Sequence, residues 1–86
     1  MLTITRTNQQ WTAQFSNGHL NNHKAQGHSD VDALRKLAAD MAKWADCPMR
    51  VLMAATVDAI ADDIMAGDAR PIGPVNLAEY YYRNVV

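Results

Sequence analysis

Up to about Ser29 the apolar residues recur at every second position, and beyond it at every third and fourth; this change of period constrains the fold more than any other feature. Leu2 and Ile4, then Trp11, Ala13 and Phe15, alternate with Thr3, Thr5, Thr12, Gln14 and Ser16, the pattern of two strands buried on one face. The polar link Thr7-Asn8-Gln9-Gln10 joins them as a hairpin. Asn17-Gly18 tolerates the positive φ of a two-residue type I′ turn. It predicts a third antiparallel strand leaving from His19, with Ser16 opposite His19 and Phe15 opposite Leu20. Continued alternation would turn Asn22 and Lys24 inward. Either a bulge near Asn21-Asn22, which turns His23 and Ala25 inward instead, or an early end to the strand is therefore expected.

Ser29-Asp30-Val31-Asp32 reads as a helix start: the Ser29 hydroxyl can accept from the Asp32 N–H, and the acids suit the positive helix end. Val31, Leu34, Leu37, Ala38, Met41, Trp44 and Ala45 then share one face, with Arg35, Lys36, Ala39, Asp40 and Lys43 on the other. Pro48 belongs in the first turn of a second helix, which makes Asp46-Cys47 a corner. That helix should run to Ala66 and stop at Gly67. Leu52, Met53, Val57, Ile60 and Ile64 form its inward stripe, and Arg50, Asp58 and Asp62 point away. After a Pro- and Gly-rich loop over 68–74, Asn76 with Glu79 would cap a short last helix through Asn84, with a strand over Tyr80-Val86 as the alternative.

The fold class is thus α+β: a three-stranded antiparallel sheet followed by two packed helices and a short C-terminal element. One domain over 1–86 would comprise the sheet at 1–28, a helical hairpin at 29–67, and a loop and last element at 68–86. Its expected core is Ile4, Trp11, Phe15, Leu34, Leu37, Met41, Leu52 and Ile60.

With 86 residues, 49% hydrophobic and 20% charged, the chain sits in the range of one folded domain. No apolar run approaches the ~20 residues of a membrane-spanning helix, and Cys47 is the lone cysteine, which suits a cytoplasmic protein without disulfides. The net charge of −1 is unevenly spread: residues 1–28 hold Arg6 and Lys24 and no acid, while all nine carboxylate side chains lie between Asp30 and Glu79.

His19, His23 and His28 invite a metal reading, but on a strand positions 19 and 23 are ~13 Å apart, beyond the reach of one ion. They read as surface histidines. Cys47 lacks an activating base, Ser29 next to His28 is explained by capping, and no phosphate loop, dinucleotide fingerprint or paired catalytic carboxylates are present. The expectation is a chain without catalytic residues, cofactor or metal.

Two features point to binding. Asp58, Asp62, Asp63 and Asp68 gather near the negative end of the second helix, where the i,i+4 pair Asp58/Asp62 costs a few tenths of a kcal/mol. Neutralising that pair is expected to stabilise the free chain slightly, and Arg70 is the expected counter-charge. Tyr80, Tyr81, Tyr82 and Arg83 cannot all face inward, and Tyr and Arg are enriched in binding hot spots. Together they suggest a protein partner with a basic surface, such as a nucleic-acid-binding host complex. The alternatives are nucleic acid on an acid-free sheet through Arg6, Lys24, Trp11 and the histidines, a homodimer, and an enzyme whose active site is shared across a dimer.

Trp11-x-Ala13-x-Phe15, Gly18, and Ala25-x-Gly27-x-Ser29-x-x-x-Ala33-Leu34-x-x-Leu37-Ala38 resemble the strand-strand-strand-helix start of HicB-like proteins over about half the chain. The resemblance implies partner binding of the antitoxin kind. A second helix here takes the place of a further strand. In size and acidic character the chain is also similar to small phage inhibitors of bacterial defence complexes, anti-CRISPR proteins among them.

Overall fold

The computed structural model describes residues 1–17, 21–43, 48–67 and 74–84. Its elements are β1 (Leu2–Thr7), β2 (Gln10–Asn17), β3 (Asn21–Gly27), α1 (Asp30–Ala42), α2 (Pro48–Met65) and α3 (Leu77–Asn84). The strands form one antiparallel sheet in the order β1-β2-β3, and the fold is α+β as the sequence predicts.

The register bears out the first hairpin and corrects the second turn. Thr7 pairs with Gln10, and Asn8 and Gln9 between them adopt φ of 51° and 64°. The tight turn with two positive-φ residues therefore sits at Asn8-Gln9. On the other side Asn17 pairs with Asn21, Ser16 with Asn22 and Phe15 with His23, so three residues, 18–20, separate the strands. Phe15 does not face Leu20, and Ser16 does not face His19. The ladder runs without interruption from Asn21 to Gly27, so the strand neither bulges within it nor ends early. The longer connection alone shifts the phase by one. It turns His23 and Ala25 inward and leaves Lys24 and Gln26 exposed. Gly18, His19 and Leu20 themselves lie outside the described residues, as do Trp44, Ala45, the Asp46-Cys47 corner, Asp68 and Arg70.

Helix α1 begins as its sequence requires: the Ser29 hydroxyl accepts from the Asp32 N–H at 3.0 Å. Asp32 in turn accepts from the His28 N–H at 3.1 Å and pairs with Lys36 at 3.3 Å. The His28 hydrogen bond and then the Lys36 hydrogen bond hold the Asp32 carboxyl below its ordinary value of 3.8. Gly27 is placed by close approach, since a Cβ there would lie 2.5 Å from Asp32 Oδ2 and 2.7 Å from the Ala33 backbone nitrogen. Helix α2 is followed by Gly67 at φ 85°, and the Asn76 side chain accepts from the Glu79 N–H at 3.2 Å at the start of α3.

The core joins Leu2, Ala13 and Phe15 of the sheet to Ala33, Leu34, Leu37, Ala38 and Met41 of α1, Ala54, Val57, Ile60 and Ala61 of α2, and Leu77 of α3. Ile4 and Trp11 are half-buried against it. Leu52 is not part of it: its side chain is 40% exposed. At about 100° per residue, Leu52 stands roughly 200° around the helix from the buried Ala54. Thr56, fully buried, takes a place in the interior by donating to the Leu52 carbonyl at 2.8 Å.

Two outcomes check this packing. Leu37→Ala should cost ~2–5 kcal/mol, as for a fully buried leucine, whereas Leu52→Ala should cost under ~1 kcal/mol; urea unfolding midpoints measure both. Asp32, with its pKa depressed by folding, contributes stability that is present above about pH 3.8 and lost as the pH falls through its lower folded value. Asp32→Asn should therefore be less stable than the parent at neutral pH and lose less on acidification, as followed by circular dichroism.

Candidate functional site

The acidic half of α2 is organised by a residue on the neighbouring helix. Arg35, 23 and 27 positions before its partners, reaches Asp58 Oδ1 at 3.1 Å through Nη1 and Asp62 Oδ1 at 2.5 Å through Nη2. The hydrogen bonds to Asp62 and then Asp58 hold the guanidinium above its ordinary pKa. The like-charge pair that looked costly in sequence thus shares one cation. Asp58 and Asp62 do not simply point away from the fold. They tie α2 to α1, and Arg35 supplies a counter-charge; Arg70, expected in that role, lies outside the described residues.

Asp63 turns to the other neighbour. Its carboxylate accepts a short hydrogen bond from the Tyr80 hydroxyl, which pins α3 to α2. Tyr80 is half-buried against the core. Tyr81 meets Tyr82 edge-on, with ring centroids 5.6 Å apart and planes at 75°, and the Tyr82 side chain is 73% exposed. Arg83 pairs with Glu79 one turn earlier at 2.8 Å. Asp58, Asp62, Asp63 and the run from Tyr80 to Arg83 are therefore brought together on adjoining elements, while Asp68 lies outside the described residues. Among the described residues, three carboxylates stand against one guanidinium at the α2 end.

No protein-family model, curated protein or solved structure matches this chain.

The sheet does not offer the basic aromatic face that its composition suggested. Arg6 and Trp11 oppose each other on the helix-covered side, with the guanidinium 5.7 Å from the indole centroid. Lys24 is on the other side, opposite Gln14. Among the described residues, the solvent face carries Thr3, Thr5, Thr12, Gln14, Lys24 and Gln26 and no aromatic side chain that could stack a base. His23 is not a surface histidine: it is 6% exposed, and its Nδ1 lies 2.9 Å from Asp40 Oδ2 on α1. His28 is exposed, and His19 lies outside the described residues.

Among the described residues no group of three His, Cys, Asp or Glu side chains is placed to hold a metal. A half-open cavity of about 150 Å³, lined by Met1, Phe15, Met53, Asn76, Leu77 and Ala78, contains no titratable side chain. No helix among the described residues is long and apolar enough to cross a membrane.

The Arg35 bridge reverses one expectation. Asp58→Asn with Asp62→Asn should lower stability by up to about 1 kcal/mol instead of raising it, because Arg35 then loses both partners. Arg35→Gln should cost a similar amount in the parent and almost nothing in the double variant. Denaturation midpoints of the four proteins close this cycle, and added salt should shrink every difference.

Proposed function

We propose that the chain is a non-catalytic protein-binding module, a phage or mobile-element inhibitor in character, which covers a basic surface of a host complex. The observation that carries this reading is the Tyr80–Asp63 hydrogen bond, which makes one surface of two features distant in sequence. The acidic end of α2 supplies long-range attraction to a basic partner. Exposed Tyr82, held edge-on by Tyr81, supplies a rigid aromatic anchor that orders few side-chain torsions on binding. Asp62, whose side chain is 67% exposed despite its contact with Arg35, keeps a carboxylate available to a second cation. The threonine and glutamine face of the sheet, with Lys24 as its one cation among the described residues, supports this assignment over a nucleic-acid reading, which needs clustered cations or exposed rings.

The test is affinity capture from bacterial lysate with the parent chain, followed by binding measurements on the captured protein. Asp62→Asn with Tyr82→Ala should weaken that complex by about tenfold or more, and a slower on-rate at low salt should account for the charge part. Lys24→Ala with Gln26→Ala should leave it unchanged. Unchanged affinity in the first variant, or capture of nucleic acid lost in the second, would move the function to the sheet.

A further inference from the structure

Helix α2 has two apolar faces, and the fold uses one. Ala54, Val57, Ile60 and Ala61 are buried, whereas Pro48, Val51, Leu52 and Ala55 are exposed on the opposite side and Ala59 is half-buried there. Their spacing of three and four makes a continuous stripe, on which Val51 and Leu52 are 42% and 40% exposed.

The charges of α2 are also reversed with respect to its dipole. The first turns of α1 and α3 contain acids, Asp30 with Asp32 and Glu79, and α3 ends with Arg83. The first turn of α2 has no acid and its last turn no base, and Asp58, Asp62 and Asp63 all fall in its second half. Acids near a helix C-terminus are unfavourable to their own helix but favourable to the N-terminus of another laid antiparallel against it.

We infer that α2 is the seam of a homodimer, in which two copies pack α2 against α2 antiparallel and cross at Ala55. That crossing sets Ala55 on its own copy, Val51 opposite Ala59, and Asp62 opposite Pro48 in the first turn of the other helix. Large residues meet small ones, and each acidic end meets a positive helix start. A helix of 18 residues is ~27 Å long and ~10 Å wide, a footprint of roughly 300 Å² per copy. This is well under the ~800 Å² per partner of a standard interface, so the dimer forms reversibly at micromolar or higher concentration. The seam shares Asp62 with the proposed partner-binding surface, so Leu52 and Ala55, which only the seam uses, are the positions that test it.

Sedimentation equilibrium of the full chain from ~10 μM to ~1 mM should show a monomer–dimer equilibrium, weakened at least ~10-fold by Leu52→Glu, which sets a like charge opposite Asp58 of the other copy at an exposed position whose change leaves the circular dichroism spectrum intact. Disulfide trapping in a Cys47→Ser background reads the geometry. Ala55→Cys should cross-link to itself. Val51→Cys should not, since it lies ~12 Å along the axis from its copy, beyond the ~7 Å a disulfide spans; mixed with Ala59→Cys it should. A monomer throughout that range, unchanged association in Leu52→Glu, or Val51→Cys linking to itself as readily as to Ala59→Cys would overturn the proposal.

Discussion

The closeness of β3 to the first turn of α1 is the constraint on which the rest of the fold depends. At Gly27 there is room for a hydrogen and no more: the position of a side-chain carbon is already occupied by Asp32 and by the backbone of Ala33. That proximity lets Asp32 accept from His28 and lays Ala33, Leu34 and Leu37 directly on the sheet. Helix α2 then packs on α1, and α3 on α2. Each later element is positioned by the one before it, and the end of α2 takes its placement through Arg35, one turn beyond Asp32.

What was legible in sequence was local. Ser29, Gly67 and Asn76 act within a few residues of themselves, and their caps were readable for that reason. The β3 register was not, because the preference of Asn17-Gly18 for a two-residue turn is weak beside the need to turn His23 and Ala25 inward. Asn8 and Gln9, with no glycine among them, adopt the positive φ angles of the first turn. Leu52 was misplaced because α2 is apolar on both sides, so periodicity cannot say which side meets the core. The residues of the candidate surface were visible as an acidic cluster and a tyrosine run. Their partners were not: Arg35 stands 23 and 27 positions from Asp58 and Asp62, and spacing carries no information across elements.

The cross-element contacts give the polar groups of the helical layer a shared role. Arg35 joins α1 to α2 through Asp58 and Asp62, Asp63 joins α2 to α3 through Tyr80, and His23 joins the sheet to α1 through Asp40. Each contact lies at the margin of the apolar core and fixes the angle of one element on another, where hydrophobic burial alone is insensitive to direction. The same carboxylates are the groups a basic partner would meet. Their orientation toward such a partner is therefore set before any encounter, which reduces what must be ordered on binding.

Leu2 and Val75 exchange two backbone hydrogen bonds of 2.8 Å, and this bridge closes the outer edge of β1 at its start. The two residues stand 73 positions apart in sequence. Until Val75 reaches it, Leu2 turns an open hydrogen-bonding edge to its surroundings, the kind of edge on which a foreign strand can add. The segment that leads into the tyrosine-bearing helix is thus also the guard of the sheet's margin.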